Sequence, residues 1–297
     1  MRFNFSSLLT IAAAATTVLA HPSKRAQELN PPPSVLKHTE WDKLTPASVE
    51  TVTNAKRFAQ GLPPLNPRRR NPNRSVHRAV AHARGTRVIT APRSETSPSV
   101  PISEKCNILV KKAGTEENLG FVSPEWNRFA EYGPLQGAQD GSLEVAMSYS
   151  SDSHKQLDLL TTNGKSAHHP FFGASSGYGS SDDDLKEDTP NYLILTGNTQ
   201  TLPGSSPSYD AENSFSEETS IPVSSQSAIW EYDPTSKNFS AWWVNADGSS
   251  VKPRILWSNQ GDTMFVLTQS PAMFRETFGV EAPEVTFTCV QPVVTPA

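Results

Sequence analysis

The sequence predicts an all-β domain, a β-sandwich or jelly-roll-like fold with one short helix, behind a long disordered N-terminal linker. Three observations lead there. From residue 106 onward short apolar runs recur between clusters of Gly, Pro, Asn, Asp and Ser, the spacing of strands joined by turns. Aromatic residues divide unevenly: only Trp41 and Phe58 fall in residues 21–105, whereas 21 fall in residues 106–297. Charge divides the same way, with 15 Lys or Arg against 6 Asp or Glu in the first segment and 10 against 24 in the second. The first segment lacks the apolar surface needed to offset the entropy of ordering it, while the second is large enough for a full core.

Residues 1–20 read as a secretory signal peptide. Arg2 supplies the positive start, residues 8–19 form an uncharged apolar run, and Val18 and Ala20 place small residues at the −3 and −1 positions. Cleavage is expected after Ala20. No apolar run reaches the length of about 18 residues that a membrane span requires, so the chain is expected to be secreted, extracellular or wall-associated.

Residues 21–105 form the basic Pro/Arg-rich linker. Lys24-Arg25 is a dibasic pair with the form of a processing site, an ordinary charged linker being the alternative. Thr45-Pro46 opens a helix-like stretch that Gly61 stops. From residue 62 to residue 101 Pro, Arg, Ser and Thr dominate without apolar periodicity, the composition of disorder. Arg68-Arg69-Arg70 and the arginines around it form the footprint of a nucleic-acid binder, but export and the absence of interleaved aromatics argue against nucleic acid as the partner. Anionic wall polymers or the acidic domain itself suit these charges better than nucleic acid, and a plain solvated linker suits them better than either.

The domain is expected over residues 106–291, with a tail at 292–297. Candidate strands lie at 108–111, 119–122, 143–149, 157–161, 192–196, 229–232, 239–244, 251–257, 264–268 and 285–290. A short helix is expected at 271–278, and the polar, Ser-rich stretch 197–227 reads as a long surface loop. Cys106 and Cys289 are the only cysteines and bracket this segment. In an oxidising compartment they are expected to form a disulfide joining first and last strands, two buried free thiols being the alternative. Asn73-Arg74-Ser75 and Asn238-Phe239-Ser240 are glycosylation sequons, and Asn238, at a turn, is the better candidate.

Residues 227–248 carry Trp230, Trp242 and Trp243, half of the six tryptophans, in a predicted hairpin that opens into a third strand. On the first strand Trp230 and Tyr232 share one face, opposite Glu231, and that face is expected to point inward. Adjacent Trp242 and Trp243 must face opposite sides: if one fills the core, the other lies on the outer face, where a neighbouring loop is expected to cover it, a platform for a flat sugar ring being the alternative. Trp230, Tyr232, Trp242, Trp243 and Asp247 are therefore the candidate ligand-binding residues. Glu231 and Asp233 lie two apart on one face and form the only carboxylate pair that suggests glycosidase chemistry.

Other motifs fail on their own requirements. Gly173-Ala174-Ser175-Ser176-Gly177 matches G-x-S-x-G, but every histidine precedes Ser175, the wrong chain order for a nucleophile elbow. Gly164-Lys165-Ser166 lacks the first glycine of a phosphate loop, Leu159 standing there, and reads as a hairpin turn. His168-His169 and Asp182-Asp183-Asp184 lack the spacing of zinc or calcium ligands, so the aspartates read as a solvated acidic loop and neither a metal nor another cofactor is expected.

The stretches TNAKRFAQGLPPLNPRRR, NILVKKAGTEENLGFVS and SAIWEYDPTSKNFSAWWVNADGS resemble a family of secreted β-rich proteins from mushroom-forming (basidiomycete) fungi. Leu119-Gly120-Phe121-Val122-Ser123 and the hairpin at 229–248 carry the resemblance. It implies the cleaved signal, the Pro/Arg linker and the β-rich domain, and no particular reaction. The functional expectation is a non-enzymatic domain associated with cell-wall polysaccharide or another extracellular polymer. A carbohydrate-active enzyme using acidic residues, or an extracellular protein-interaction module, is the alternative.

Overall fold

A computed structural model of the chain describes residues 28–46 and 101–293, apart from 116 and 152. The signal sequence with Ala20, the Lys24-Arg25 pair, the Asn73 sequon and most of the expected helix at 45–61 lie outside the described residues.

Strand β1 (Ile102–Lys112) is the axis of the sheet. Cys106, Ile108 and Val110 alternate onto one face and are fully buried there, as the period of two requires. The strand pairs antiparallel with three others, β2 (Asn118–Val122), β4 (Glu144–Tyr149) and β15 (Val285–Val290). Gly120 lets a further strand pair closely against β2. Its φ is +134°, and a Cβ there would lie 2.8 Å from the carbonyl oxygen of Gln136 in β3 (Leu135–Gln136). The Cys106–Cys289 disulfide is formed and ties β1 to β15.

The remaining strands are β5 (Leu160–Thr161), β6 (Phe171–Ser176), β7 (Leu193–Asn198), β8 (Ser225–Gln226), β9 (Trp230–Asp233) and β10 (Asn238–Ala241). They are followed by β11 (Trp243–Val244), β12 (Ser250–Val251), β13 (Arg254–Ser258) and β14 (Met264–Thr268). The main sheet has thirteen strands, and its path runs β13-β14-β7-β6-β5-β4-β1-β15-β10-β9. Strands β2 and β3 branch from β1, β8 branches from β6, and β11–β12 form a separate hairpin. All pairings are antiparallel. The sheet curls until its two arms face each other. Phe172 of β6 stacks on Trp230 of β9 at 5.2 Å, and Phe265 of β14 meets the edge of Phe287 at 4.9 Å. Strands distant along the sheet thus close one core, which is the sandwich-like all-β architecture expected.

A second, smaller core covers the outer face of the β7–β14 arm. Tyr192, Ile194, Leu256, Met264 and Val266 meet Phe215, Phe274 and Phe278 there. The last two come from α2 (Pro271–Phe278), the one expected helix, which starts on a proline and ends at Gly279 in the left-handed region. Strands β6, β7 and β14 are consequently buried on both faces throughout.

The structure corrects several expectations. Only the first half of the stretch at 197–227 is a surface loop, over residues 199–212. The second half holds α1 (Ser214–Thr219), whose N-cap Asn213 accepts the Ser216 N–H at 2.8 Å, and it buries Asn213, Phe215 and residues 223–227. Its serines are inside because their hydroxyls are paired: Ser175 Oγ lies 2.7 Å from Thr196 Oγ1 and 2.9 Å from Ser225 Oγ. The expected strand at 239–244 breaks at Trp242, whose N–H donates to Ile229 O while the next residues leave for β12. The strand at 157–161 shrinks to β5, with Leu157 forming one bridge to Trp230. The first strand begins at Ile102, ahead of the expected domain boundary at Cys106.

Residues 28–46, inside the stretch read as linker, lie against the domain as a strap. Leu29 and Leu36 pack on the second core and Pro31 is buried. Two short 3₁₀ turns, Pro33–Val35 and Trp41–Lys43, give the strap its only regular structure.

Candidate functional site

The hairpin tryptophans were the first candidates, and most of them are core. Trp230 and Tyr232 point inward from β9 and Trp243 inward from β11, all with no exposed surface. Their polar atoms are satisfied within the protein: Trp230 Nε1 donates to Phe172 O at 2.6 Å, and Trp243 Nε1 to Asp183 O at 2.8 Å. Tyr232 Oη donates to Glu104, which also accepts from Tyr149 Oη. None of these three rings can meet a ligand. Asp247 is exposed, and its carboxylate caps the β11–β12 turn by accepting the Ser249 N–H at 2.8 Å, next to Gly248 at φ +85°.

Trp242 is the outward partner of the Trp242–Trp243 pair. Lys155 Nζ lies 4.5 Å and Lys252 Nζ 5.7 Å from its ring centroid, and its Nε1 donates to Glu231 at 2.7 Å. The same lysines pair with Glu231 at 3.3 and 3.4 Å. Burial pulls the Glu231 carboxyl upward, but the Trp242 indole N–H and the two lysines outweigh it and hold it below the usual carboxylate range. Asp233 is also held low, by the Ser236 hydroxyl and the Thr235 N–H of its own turn. A cleft of about 460 Å³ runs between them, lined by His154, Ser240 and Lys252 among others. Glycosidic cleavage needs one carboxyl kept protonated. This pair offers two carboxylates kept ionised. Asn238 opens β10 at the same cleft, half-buried, with its Oδ1 accepting from Thr288 Oγ1.

A second cleft, of about 230 Å³, lies where β6 ends. Beyond Ser176 the chain turns through Gly177 into Tyr178, then through the acidic run, while the 199–213 stretch brings Tyr209 alongside. Tyr178 is 39% exposed and Tyr209 65% exposed, two of the few large apolar side chains on the described surface. Between them lie Ser176, Ser180, Ser181, Asp182 and Asp183. The carboxylates are positioned in advance: Asp183 accepts from Ser176 Oγ at 2.6 Å, and Asp182 accepts from Asn191 Nδ2 at 2.7 Å and from the Asp184 N–H at 3.0 Å. Asp183's charge, with burial second, raises the Tyr209 phenol above its ordinary value, so Tyr209 keeps its proton as a donor. Aromatic faces beside fixed hydroxyls and carboxylates can hold a polyhydroxylated ligand by stacking and hydrogen bonding. Sequence reasoning placed Asp182 and Asp183 on a solvated loop and Tyr209 on another. No local pattern joins the two segments; the β6–β7 and β6–β8 pairings do, together with the Ser208–Ser225 bridge beside Tyr209.

Two buried titratable groups lie beneath the strap. Glu131 is fully buried, and burial pushes its carboxyl up to about 8 in spite of Asn127 Nδ2 at 2.6 Å and Asn30 Nδ2 at 3.2 Å; Asp262 adds a small upward push. His169 is pulled down to about 3, by burial first and then by His168, and neither ring nitrogen has a hydrogen-bond partner. His168 faces the Thr45 carbonyl at 2.6 Å and Glu212 at 2.9 Å. Among the described residues no group of three or more His, Cys, Asp or Glu is placed to hold a metal ion, and no helix is long and apolar enough to cross a membrane. Compared with known proteins, the chain matches no family model, no curated protein and no solved structure.

Proposed function

We propose that this chain is an extracellular polysaccharide-binding β-domain, and that the Tyr178–Tyr209 cleft is its binding surface. The observation that carries this is the pairing of two exposed tyrosines with hydroxyls and carboxylates already fixed by internal hydrogen bonds. Phenol rings stack on the C–H faces of a pyranose without losing much side-chain freedom, and the serines and aspartates match its hydroxyls. The signal-like N-terminus and the disulfide support export to where such polymers lie. The ionised state of both Glu231 and Asp233 favours binding over glycosidase chemistry at the hairpin.

The test is retention on insoluble chitin, β-glucan and cellulose. The natural chain is expected to be retained on at least one of them. Tyr178→Ala/Tyr209→Ala should lose retention by about tenfold or more, the size expected for two stacking contacts of about 1 kcal/mol each. Trp242→Ala, whose ring lies outside the cleft and already carries Lys155 over it at 4.5 Å, should retain as well as the natural chain. Absence of retention on all three polymers, or equal retention of the double variant, would overturn the proposal.

A further inference from the structure

The strap is held by contacts of its own. Tyr192 Oη donates to Leu29 O at 2.6 Å, and Asn30 reaches Glu131. Glu218 takes three successive backbone amides: its carbonyl oxygen accepts Lys37 N–H at 2.8 Å, Oε1 accepts His38 N–H at 2.8 Å and Oε2 accepts Thr39 N–H at 2.9 Å. His38 adopts φ +57°, a conformation rare for a residue with a side chain, which the surroundings must impose. Trp41 then sets its ring edge-to-face on Trp126 at 4.8 Å, above His169 at 6.1 Å. Thr45 O ends the series on His168.

Glu218 is the most telling of these groups. It sits in the last turn of α1, where the helix end disfavours a negative charge, and it is 4% exposed. A buried carboxylate persists only where donors meet it, and its side-chain donors are the backbone amides of His38 and Thr39. The groove thus recognises consecutive main-chain amides around the left-handed turn at His38 through Glu218, and one aromatic side chain through Trp126.

We infer that the groove formed by Tyr192, Glu131, Glu218, Trp126 and His168 is a peptide-docking site occupied by residues 28–46, and that this segment stays bound as a separate chain once residues 47–100 are cut. The basic run Arg68-Arg69-Arg70 lies in that stretch, so a protease selective for basic residues supplies such a cut. The product is a two-chain protein held without a covalent link between its parts. This does not depend on the polysaccharide reading.

The test uses the full chain with a sequence-specific protease site inserted between Arg70 and Asn71, cut to completion and passed through a sizing column. The N-terminal fragment is expected to co-elute with the domain in equal amount. In Glu218→Ala it should fall at least tenfold, and in Trp41→Ala, which leaves the domain itself unaltered, it should fall as well. Disulfide content and circular dichroism verify that each domain is folded. A fragment that elutes apart from the otherwise natural domain overturns the inference, and so does a folded Glu218→Ala domain that keeps its fragment in full.

Discussion

Raising the pH through neutrality places a charge on Glu131 where the fold gives it little support. Its Oε2 accepts from Asn127 and Asn30, and its Oε1 has no partner. The carboxyl holds its proton up to about 8 against an ordinary 4.5. Between those values the folded chain keeps a proton that the unfolded chain has released, so stability falls as pH rises, by about 1.4 kcal/mol per pH unit. His169 acts in the opposite sense. Its ring is pulled from 6.5 to about 3, so across that range the unfolded chain binds the extra proton and stability falls as pH drops. The two slopes cancel between pH 4.5 and 6.5 and leave a plateau. Stability should then drop by about 2 kcal/mol between pH 6.5 and 8, and by at least a similar amount between pH 4.5 and 3, where protonation of the depressed Glu231 and Asp233 carboxyls adds to the loss. Urea unfolding across this range measures both limbs. In Glu131→Gln the alkaline limb should vanish: stability should climb by at least about 4–5 kcal/mol from pH 3 to 6.5 and then stay level. A natural chain that keeps gaining stability above pH 6.5, or a Glu131→Gln chain that still loses it, refutes the reasoning.

Two further outcomes follow from the core. The disulfide closes a separation of 183 residues, worth about 5 kcal/mol in the chain-entropy limit. If about half is realised, reduction should lower the melting temperature by about 5–10 °C, and Cys106→Ala/Cys289→Ala should melt with the reduced natural chain; calorimetry showing equal melting with and without reductant would remove the clasp from the stability argument. Trp230→Ala should cost about 3–5 kcal/mol in urea unfolding, because the ring is fully buried, lies within 8° of parallel to Phe172 and satisfies its carbonyl. A loss below about 1 kcal/mol would show that the two arms of the sheet do not depend on that stack.

The fold class was legible because most strands carry their own signal. The runs ending at Val122, Tyr149, Thr268 and Val290 are apolar and bounded by turn residues, and α2 begins and ends where Pro271 and Gly279 place it. The disulfide partners were legible because only two cysteines exist. Strand β6 was not legible. Phe171-Phe172-Gly173-Ala174-Ser175-Ser176 has no alternation, because both of its faces are buried and one is a paired hydroxyl network. Serines look like loop until the partners that satisfy them are known, and those partners lie up to 50 residues away.

By itself the sequence determined the β-rich composition of the domain, the positions of its turns, and that Trp242 and Trp243 face opposite ways. Which of the two faces inward was decided by tertiary structure, since that depends on where β11 leaves the main sheet and on the Asp183 carbonyl that meets Trp243. The strap was decided in the same way. The apolar residues of 28–46 show no strand or helix period, and what fixes the segment includes Glu218 and Trp126, about 180 and 85 residues further along the chain. Local propensity reports how a segment behaves alone; it carries no information about a carboxylate that a distant helix turn brings within 2.8 Å. Tyr178 and Tyr209 become one surface for the same reason: pairing of β6 with β7 and β8, and the Ser208–Ser225 bridge beside Tyr209, set their loops side by side.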